Sequence, residues 1–145
     1  MGEPSPILDA WTEVSQTLAG IIAQSAQMRT GSNGNLFHDH FPPVYDAAAI
    51  FISGGADNVP WLGDNPPREI NMDFRIEGRF RERLDAMRFA AQIAGAFPIK
   101  GVERILVAQP YAPPTMAGSY FKLRDSDTPQ LLFAAELSGR IVFRV

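Results

Sequence analysis

The last sixteen residues of the chain alternate between apolar and more polar positions. A period of two is typical of a β-strand with one buried face and one wetter face. The Ser138-Gly139 pair could form a tight hairpin turn, but a two-residue turn would place Leu137 opposite Arg140 on one face. A single strand over 130–145, with a bulge allowed at Gly139, keeps the apolar side together: Leu131, Phe133, Ala135, Leu137, Gly139, Ile141, Phe143 and Val145.

This predicted strand is longer than a compact domain of this size needs. At about 3.3 Å per residue it could reach roughly 50 Å. We therefore expect it to extend beyond its own domain and to contribute to self-association.

A second alternating segment precedes a helix in the middle of the chain. Apolar residues occupy every second position from Ile70 to Ile76 and again at Phe80, and charged or polar residues lie between them. The pattern predicts a strand with one core face and one face open to solvent or to a partner. A helix is predicted to follow at once, over about 81–96, and Pro98 stops it.

Further elements are predicted on both sides of this pair. Ser5-Pro6 resembles a helix N-cap followed by proline at the first helical position. Apolar spacings of three and four then predict a helix of about twenty residues that ends near Gly31. The segment 47–53 is apolar on both faces and is expected inside a sheet. Two shorter strands are predicted over 102–108 and 120–124.

These elements describe one α+β domain over residues 1–145. Their order is helix, strand, strand, helix and then three strands. The expected architecture is a mostly antiparallel sheet of about four to five strands, with two helices packed on one face.

Composition narrows the functional class. The chain has 145 residues and no cysteine, which excludes a disulfide scaffold, a thiolate nucleophile and a cysteine-built metal site. Its net charge of −3 gives no electrostatic case for wrapping nucleic acid. No apolar run approaches the ~20 residues of a membrane-spanning helix, and the N-terminus lacks the pattern of a secretion signal. We expect a soluble protein.

Two histidines form the one constellation that a metal ion could use. His38 and His40 are two residues apart, so both would point to the same side of a strand. A third ligand would have to come from elsewhere, such as Asp46, Asp57 or Asp64. The favoured interpretation is a pair satisfied within its Phe-flanked loop or at an interface. No nucleophile, phosphate-binding or dinucleotide-binding motif is present in the sequence.

A charged cluster straddles the start of the second predicted helix. It comprises Arg79, Arg81, Glu82, Arg83, Asp85 and Arg88. The four arginines could bind phosphate. Because acidic residues are interleaved with them, the solvated face of a helix explains the cluster equally well and is favoured. Arginine paired with carboxylate also suits a subunit interface.

Large apolar residues lie on segments rich in glycine and proline. The chain has twelve glycines and twelve prolines, which cluster in a few segments. Trp61 and Leu62 lie in the segment 54–67, and Tyr111 and Met116 lie in the segment 110–118. Such side chains are costly to leave in water, so they either anchor an interface or fold back to cap the core.

The order and lengths of these elements resemble those of the tail terminator proteins of long-tailed bacteriophages and phage-derived particles. Four features carry the resemblance: the amphipathic N-terminal helix, the Pro-Pro segment before a short apolar strand, the alternating strand 68–80 that runs straight into a helix, and the alternating C-terminal segment. The resemblance covers most of the chain without a signature motif. It implies a small α+β protein that forms a ring, expected to be a hexamer, on the last ring of the tail tube.

This resemblance implies a structural role, without catalysis and without a cofactor. The ring would cap the tube, stop its growth and join the tail to the head of the virion, after assembly in the host cytoplasm. Its partners would be further copies of the chain, the major tail tube protein and the head–tail connector proteins. DNA would pass through the lumen without specific binding, and no membrane would be involved. The residues expected at these interfaces are Trp61, Leu62, Tyr111, Met116, Arg79, Arg81, Arg83 and Arg140.

Two alternatives stay open at this point. Related folds occur in head-closure, connector and tube proteins, so the chain could be one of these in the same particle. In a different class, it could be a small metal-dependent α+β enzyme that uses His38 and His40.

Overall fold

The structure, a computed structural model, describes residues 6–31, 33–54 and 69–144. Within these ranges the chain forms two helices and seven strands. The helices are α1 (Pro6–Ala26) and α2 (Arg83–Gly95). The strands are β1 (Leu36–His38), β2 (Ala47–Ser53), β3 (Glu69–Phe80), β4 (Ile99–Val102), β5 (Ile105–Pro110), β6 (Thr115–Phe121) and β7 (Gln130–Arg144).

The C-terminal strand β7 is unbroken and forms the spine of the sheet. Along one edge it pairs antiparallel with all of β3, from Glu69 opposite Arg144 to Phe80 opposite Phe133. Ser138 lies inside this ladder, opposite Arg75. The prediction of one continuous strand, rather than a hairpin at 138–139, is therefore confirmed.

The length of β7 is used inside the domain, which corrects the expectation that it extends outward. Its second edge carries β6 along 130–136 and β5 along 139–143, placed end to end. A spine shared by two shorter strands has to be about as long as both together. Both edges of β7 are thus occupied by the chain's own strands, and its length is no sign of self-association.

The α+β class holds, but the predicted mostly antiparallel sheet of about four to five strands is wrong. The described strands form one seven-stranded mixed sheet in the order β1-β2-β3-β7-β5-β4, with β6 paired to β7 beside this path. It is mixed because β1 pairs parallel with β2, while the other pairings are antiparallel. The two added strands are three and four residues long, too short to show a period in the sequence.

Two other strands differ from their predicted bounds. The segment predicted as one strand over 102–108 contains a turn at Glu103, which has a φ of 52°, and this turn separates β4 from β5. The strand predicted over 120–124 instead ends at Phe121 and begins at Thr115. Met116 therefore lies on a strand and not on a loop.

Both helices pack on one face of the sheet, as predicted. Alternate residues of β3 and β7 point to this face, so that Ile76 and Leu137 lie directly opposite each other and are buried. Full burial of such a side chain contributes about 1.5–3 kcal/mol. The largest fully buried side chains are Phe74, Phe89, Phe143, Leu18, Ile22, Ile50, Ile70, Met72, Ile76, Ile93, Ile105 and Leu132.

The sequence allows α2 to approach the sheet closely at Gly78. A Cβ atom added there would lie 2.6 Å from the ring of Phe89 and 2.7 Å from the ring of Phe80. Glycine therefore leaves the space into which the Phe89 ring of α2 packs. Neither helix in the described ranges is long and apolar enough to cross a lipid bilayer.

Candidate interaction surface

The face of the sheet opposite the helices is called the open face here. Cross-strand partners share a face, so the register assigns alternate residues of β2, β3, β6 and β7 to it. Its charged members lie mainly on β3 and β7: Glu69, Asp73, Arg75, Glu77, Arg79, Glu136, Arg140 and Arg144. The alternating strand β3 thus has one core face and one polar face, as its sequence predicts.

A charged centre on the open face is built around Glu77. The Glu77 side chain is 13% exposed and accepts a hydrogen bond from Arg79 Nη2 at 3.0 Å. Arg75 lies on its other side, with its Nη1 3.8 Å from Glu77 Oε1. Glu136 is the residue directly opposite Glu77 on β7. Two arginines therefore flank the Glu77 carboxylate at the centre of this face.

Arg79 is also held between two aromatic rings. Its guanidinium carbon lies 4.1 Å from the ring centroid of Phe41 and 4.3 Å from that of Phe121. These distances are typical of cation–π contacts. The side chain is 21% exposed, and its buried Nε has no hydrogen-bond partner in the described part of the chain. Arg79, expected as an interface residue, is thus engaged within its own subunit.

The Arg79 sandwich joins two segments that are distant in sequence. Phe41 belongs to the segment between β1 and β2, and Phe121 ends β6. Close by, the backbone N–H of Arg124 donates a hydrogen bond to the carbonyl oxygen of Pro43 at 3.0 Å. The two segments therefore meet across the open face, with the Arg79 guanidinium between their aromatic rings.

The remaining arginines of the predicted cluster do not converge on one point. Arg81 lies 3.7 Å from a carboxylate oxygen of Asp46 and 4.1 Å from the ring centroid of Tyr45. Arg88 pairs with Asp85 at 3.3 Å on the surface of α2. Arg83 is exposed at the first residue of α2. Dispersed in this way, the cluster does not form a phosphate-binding site.

Tyr111 is an exposed aromatic residue that directly follows β5. It is 63% exposed, and its hydroxyl donates a short hydrogen bond to a carboxylate oxygen of Asp73. This hydrogen bond, together with partial burial and the negative charge of Asp73, raises the pKa of the Tyr111 phenol, while the charge of Arg140 opposes the shift. Arg140 is exposed and lies opposite Asp73 on β7. Tyr111, Asp73 and Arg140 thus form a small polar group.

The other predicted interface residues have different positions. Met116 is partly buried and packs against the core. Trp61 and Leu62 lie outside the described residues, so their predicted role stays a prediction. No sequence pattern marks Phe41 and Phe121, because their contact with Arg79 depends on segments that the fold brings together.

Within the described residues, His38 and His40 do not converge on a metal site. β1 ends at His38, and Asp39 has a positive φ of 65°, so His40 lies beyond the strand and the expected same-side geometry is lost. The ring of His40 instead donates from Nδ1 to the carbonyl oxygen of His38 at 3.0 Å. Among the described residues, no group of three His, Cys, Asp or Glu side chains could hold a metal ion. The suggested ligands Asp57 and Asp64 lie outside those residues.

An exposed apolar patch at β6 is not predicted by the sequence pattern. Tyr120 on β6 lies directly opposite Leu131 on β7, and these side chains are 71% and 46% exposed. Both occupy the helix side of the sheet, beyond the part that α2 covers. The alternation of the C-terminal segment could have marked Leu131, but it predicts burial and not exposure at this end.

A cleft lies beside the same end of the sheet. It has a volume of about 770 Å³ and is bordered by Tyr45, Arg81, Arg124, Asp125 and Leu131, among others. The Arg81 side chain forms an ion pair with Asp46 and a cation–π contact with Tyr45. The cleft holds no histidine or serine–histidine pair that could act in acid–base or nucleophilic catalysis. Its border combines apolar and charged side chains.

No protein-family model matches the chain, and no curated protein does.

Proposed function

We propose that this chain is a tail terminator of a long-tailed bacteriophage or a phage-derived particle. Copies of it would form a ring, most simply a hexamer, on the end of the tail tube. The ring would stop tube growth and present a surface for the head–tail connector proteins. The observation that supports this most is the order of the elements: α1, the apolar β2, the alternating β3 that runs into α2, and the long terminal β7.

The open face and its surroundings favour contact over chemistry. At its centre, Arg75, Glu77 and Arg79 are paired with each other or with aromatic rings. Exposed large side chains lie around its margin, including Tyr45 and Tyr111. Aromatic and arginine side chains are enriched at the centres of protein interfaces. Because both edges of β7 pair with strands of the same chain, the ring contacts would instead involve exposed side chains such as those of Tyr111, Arg83 and Arg140.

The proposed ring would be built from head-to-tail contacts. Such contacts join two different patches of neighbouring subunits and close after a fixed number of copies. The net charge of −3 for each chain would weaken non-specific attachment of DNA to the ring. DNA would thus pass through the lumen without specific binding. The ring would belong to the neck of the virion and would assemble in the host cytoplasm.

Reconstitution with tail tubes tests this proposal. The purified chain should add as a single ring to the ends of purified tubes, and negative-stain images should show tubes that no longer elongate when tube subunits are added. Charge reversal by Arg83→Glu should reduce ring attachment at least about tenfold, since a charge facing a like charge at an interface is strongly unfavourable. Arg29→Glu, which reverses another exposed arginine in the segment that follows α1, is the matched control and should cap normally.

Other outcomes of this experiment would overturn the proposal. Polymerisation of the pure chain into tubes would identify a tube protein, and binding to connector rings but not to tube ends would identify a head-side protein. Stoichiometric metal in the purified protein, lost together with an activity in a His38→Ala variant, would favour the enzyme alternative.

A further inference from the structure

The three outermost strands of the sheet differ in how their free edges are protected. β1 is three residues long, and β4 is four residues long with Lys100 exposed and a φ of 65° at Gly101. Short length, an exposed lysine and irregular backbone are the usual ways in which proteins block pairing at a sheet edge. These two edges are therefore protected.

Within the described residues, the edge of β6 has no such protection. β6 is seven residues long and pairs, among the described strands, with β7 alone. Its sequence, Thr-Met-Ala-Gly-Ser-Tyr-Phe, contains no charged residue and no proline. Most of these residues are exposed. A neutral, exposed strand with unpaired backbone groups on one side is a template for another strand.

The length of β6 indicates which strand of a second copy could pair with its free edge. A partner strand of equal length can pair with all of the backbone groups on the free edge of β6. The shorter strands β1 and β4 would leave about half of these groups unpaired. Of the described free edges, β6 itself therefore fits best. We propose that two copies of the chain pair through β6, antiparallel and about a two-fold axis at Gly118, so that their sheets become continuous.

The side chains of β6 are self-complementary in this register. Met116 of each copy lies opposite Tyr120 of the other, and thioether–aromatic contacts of this kind are favourable. These pairs extend the exposed surface of Tyr120 and Leu131 into a contact on the helix side of the sheet. On the open face, Ala117 meets the small side chain of Ser119.

The charges at the ends of the paired segment also permit this register. Lys122 would lie opposite Pro114 of the other copy, so no like charges face each other across the pair. Pro113 and Pro114 lack an N–H group and would limit the pairing to the seven residues of β6.

This pairing goes beyond the proposed ring and does not depend on it. A two-fold contact uses the same patch on both subunits and closes after two copies, so it cannot continue around a ring. It would keep the unprotected edge covered in the free chain. The contact area of one strand pair is small, so we expect a weak dimer that becomes populated at concentrations on the order of 100 µM.

Charge substitutions at the two-fold axis test the pairing. Gly118 would face Gly118 of the other copy, so Gly118→Glu and Gly118→Lys each place like charges directly opposite each other. Space exists for these side chains, because an added Cβ would lie 3.5 Å from Leu131 Cδ1 and 3.6 Å from Phe133 Cε1, which are ordinary contacts. Each variant alone should raise the dimer dissociation constant at least about tenfold.

An equimolar mixture of the two variants should restore dimerisation, because opposite charges then face each other. Sedimentation equilibrium of the full chain measures all of these states, and Gly118→Ala is the uncharged control that should stay dimeric. A wild-type chain that stays monomeric to about 1 mM would overturn the proposal. So would charge variants that dimerise alone as well as the wild type, or a mixture that shows no gain.

Hydrogen exchange on the wild-type chain keeps the proposal testable if the charged variants do not fold. Amide protection should rise with protein concentration in β6 but not in β1 or β4. Equal protection of β6 at low and high concentration would contradict the pairing. The particle size separates this result from the proposed function, since the pair contains two copies and the proposed ring contains more.

Discussion

Arg104 donates two hydrogen bonds to the carboxylate of Glu13, one of them from Nε to Oε2 at 2.9 Å. The two residues are 91 positions apart in the sequence. Glu13 lies on α1, and Arg104 lies in the turn between β4 and β5. The Arg104 guanidinium also lies 4.9 Å from the ring centroid of Phe143. This pair therefore ties the N-terminal helix to the far edge of the sheet.

The Glu13–Arg104 pair should make stability dependent on pH in the acid range. The hydrogen bond from Arg104 and, more weakly, its positive charge lower the pKa of Glu13, against the effect of partial burial. A carboxyl whose pKa is lowered on folding stabilises the protein above its unfolded pKa, and this contribution is lost as the pH falls through the folded value. Because both side chains are about two-fifths exposed, we expect Glu13→Gln to cost only about 0.5–1 kcal/mol at neutral pH.

Urea unfolding at neutral pH and below the ordinary range of glutamate pKa values measures this difference. The gap between the wild-type chain and Glu13→Gln should close in acid. Glu82→Gln is a suitable control, since Glu82 is exposed and its side chain makes no capping hydrogen bond to α2. A gap that is the same at both pH values would contradict the role of the Glu13 charge.

The Arg79 sandwich should depend on the planar guanidinium. Arg79→Lys keeps the charge but loses the flat group that stacks between Phe41 and Phe121, so we expect a loss of about 1–2 kcal/mol in the free energy of unfolding. Chemical denaturation measures this loss. Lysine that stabilises the chain as well as arginine would mean that charge alone accounts for the site.

A double-mutant cycle separates the sandwich from general packing. The loss caused by Phe121→Leu should be smaller in the Arg79→Lys background than in the wild-type chain, because the two side chains contact each other. Arg88→Lys is the matched control, since Arg88 forms only a surface pair with Asp85 and should change stability by less than about 0.5 kcal/mol.

The long strands of this fold could be predicted because each buries one face over many residues. The alternation over 70–80 and 130–145 predicts β3 and β7 to within about one residue. β6 escaped this pattern because most of its residues are exposed, so neither of its faces shows an apolar period. β1 and β4 are each too short to contain one.

The candidate surface was less predictable than the fold. Sequence patterns mark Tyr111 and Arg79 as residue types that are common at interfaces, but they do not show which partners these residues have in their own subunit. The contacts of Arg79 with Phe41 and Phe121, and of Tyr111 with Asp73, depend on the order of strands in the sheet. The expectation that β7 extends outward is wrong for the same reason, since the sequence does not show which strands pair with its two edges.

Gly139 should be required for the continuous strand β7. A Cβ atom at this position would lie 2.2 Å from the carbonyl oxygen of Gln109 and 2.6 Å from the ring of Phe74. The backbone oxygen cannot move away without disturbing β5, so we expect Gly139→Ala to lower the free energy of unfolding by about 2–3 kcal/mol. Thermal or urea unfolding would measure the loss.

Gly20→Ala provides the contrast for this prediction. Gly20 lies within α1, and an added Cβ would have no heavy atom within 4 Å beyond its immediate helical surroundings. Alanine there should stabilise the chain by about 0.5–1 kcal/mol, because it favours the helical backbone. Equal and small effects at Gly20 and Gly139 would contradict the close approach of β5 to β7.

The hydroxyl of Tyr111 should titrate late because it donates its proton to Asp73. The chain has three tyrosines, Tyr45, Tyr111 and Tyr120, so alkaline absorbance titration of the phenol groups can assign each of them by substitution. We expect Tyr111→Phe to remove the transition at the highest pH, and Asp73→Asn to move that transition toward the ordinary phenol range.

A group whose pKa is raised on folding stabilises the protein at pH values below its unfolded pKa, and this stabilisation is lost as the pH rises through its folded pKa. The stabilising effect of Tyr111 over phenylalanine, about 0.5 kcal/mol at an exposed site, should therefore disappear at alkaline pH. Tyr120→Phe is the control and should leave the late transition in place; a late transition that survives Tyr111→Phe would rule out this assignment.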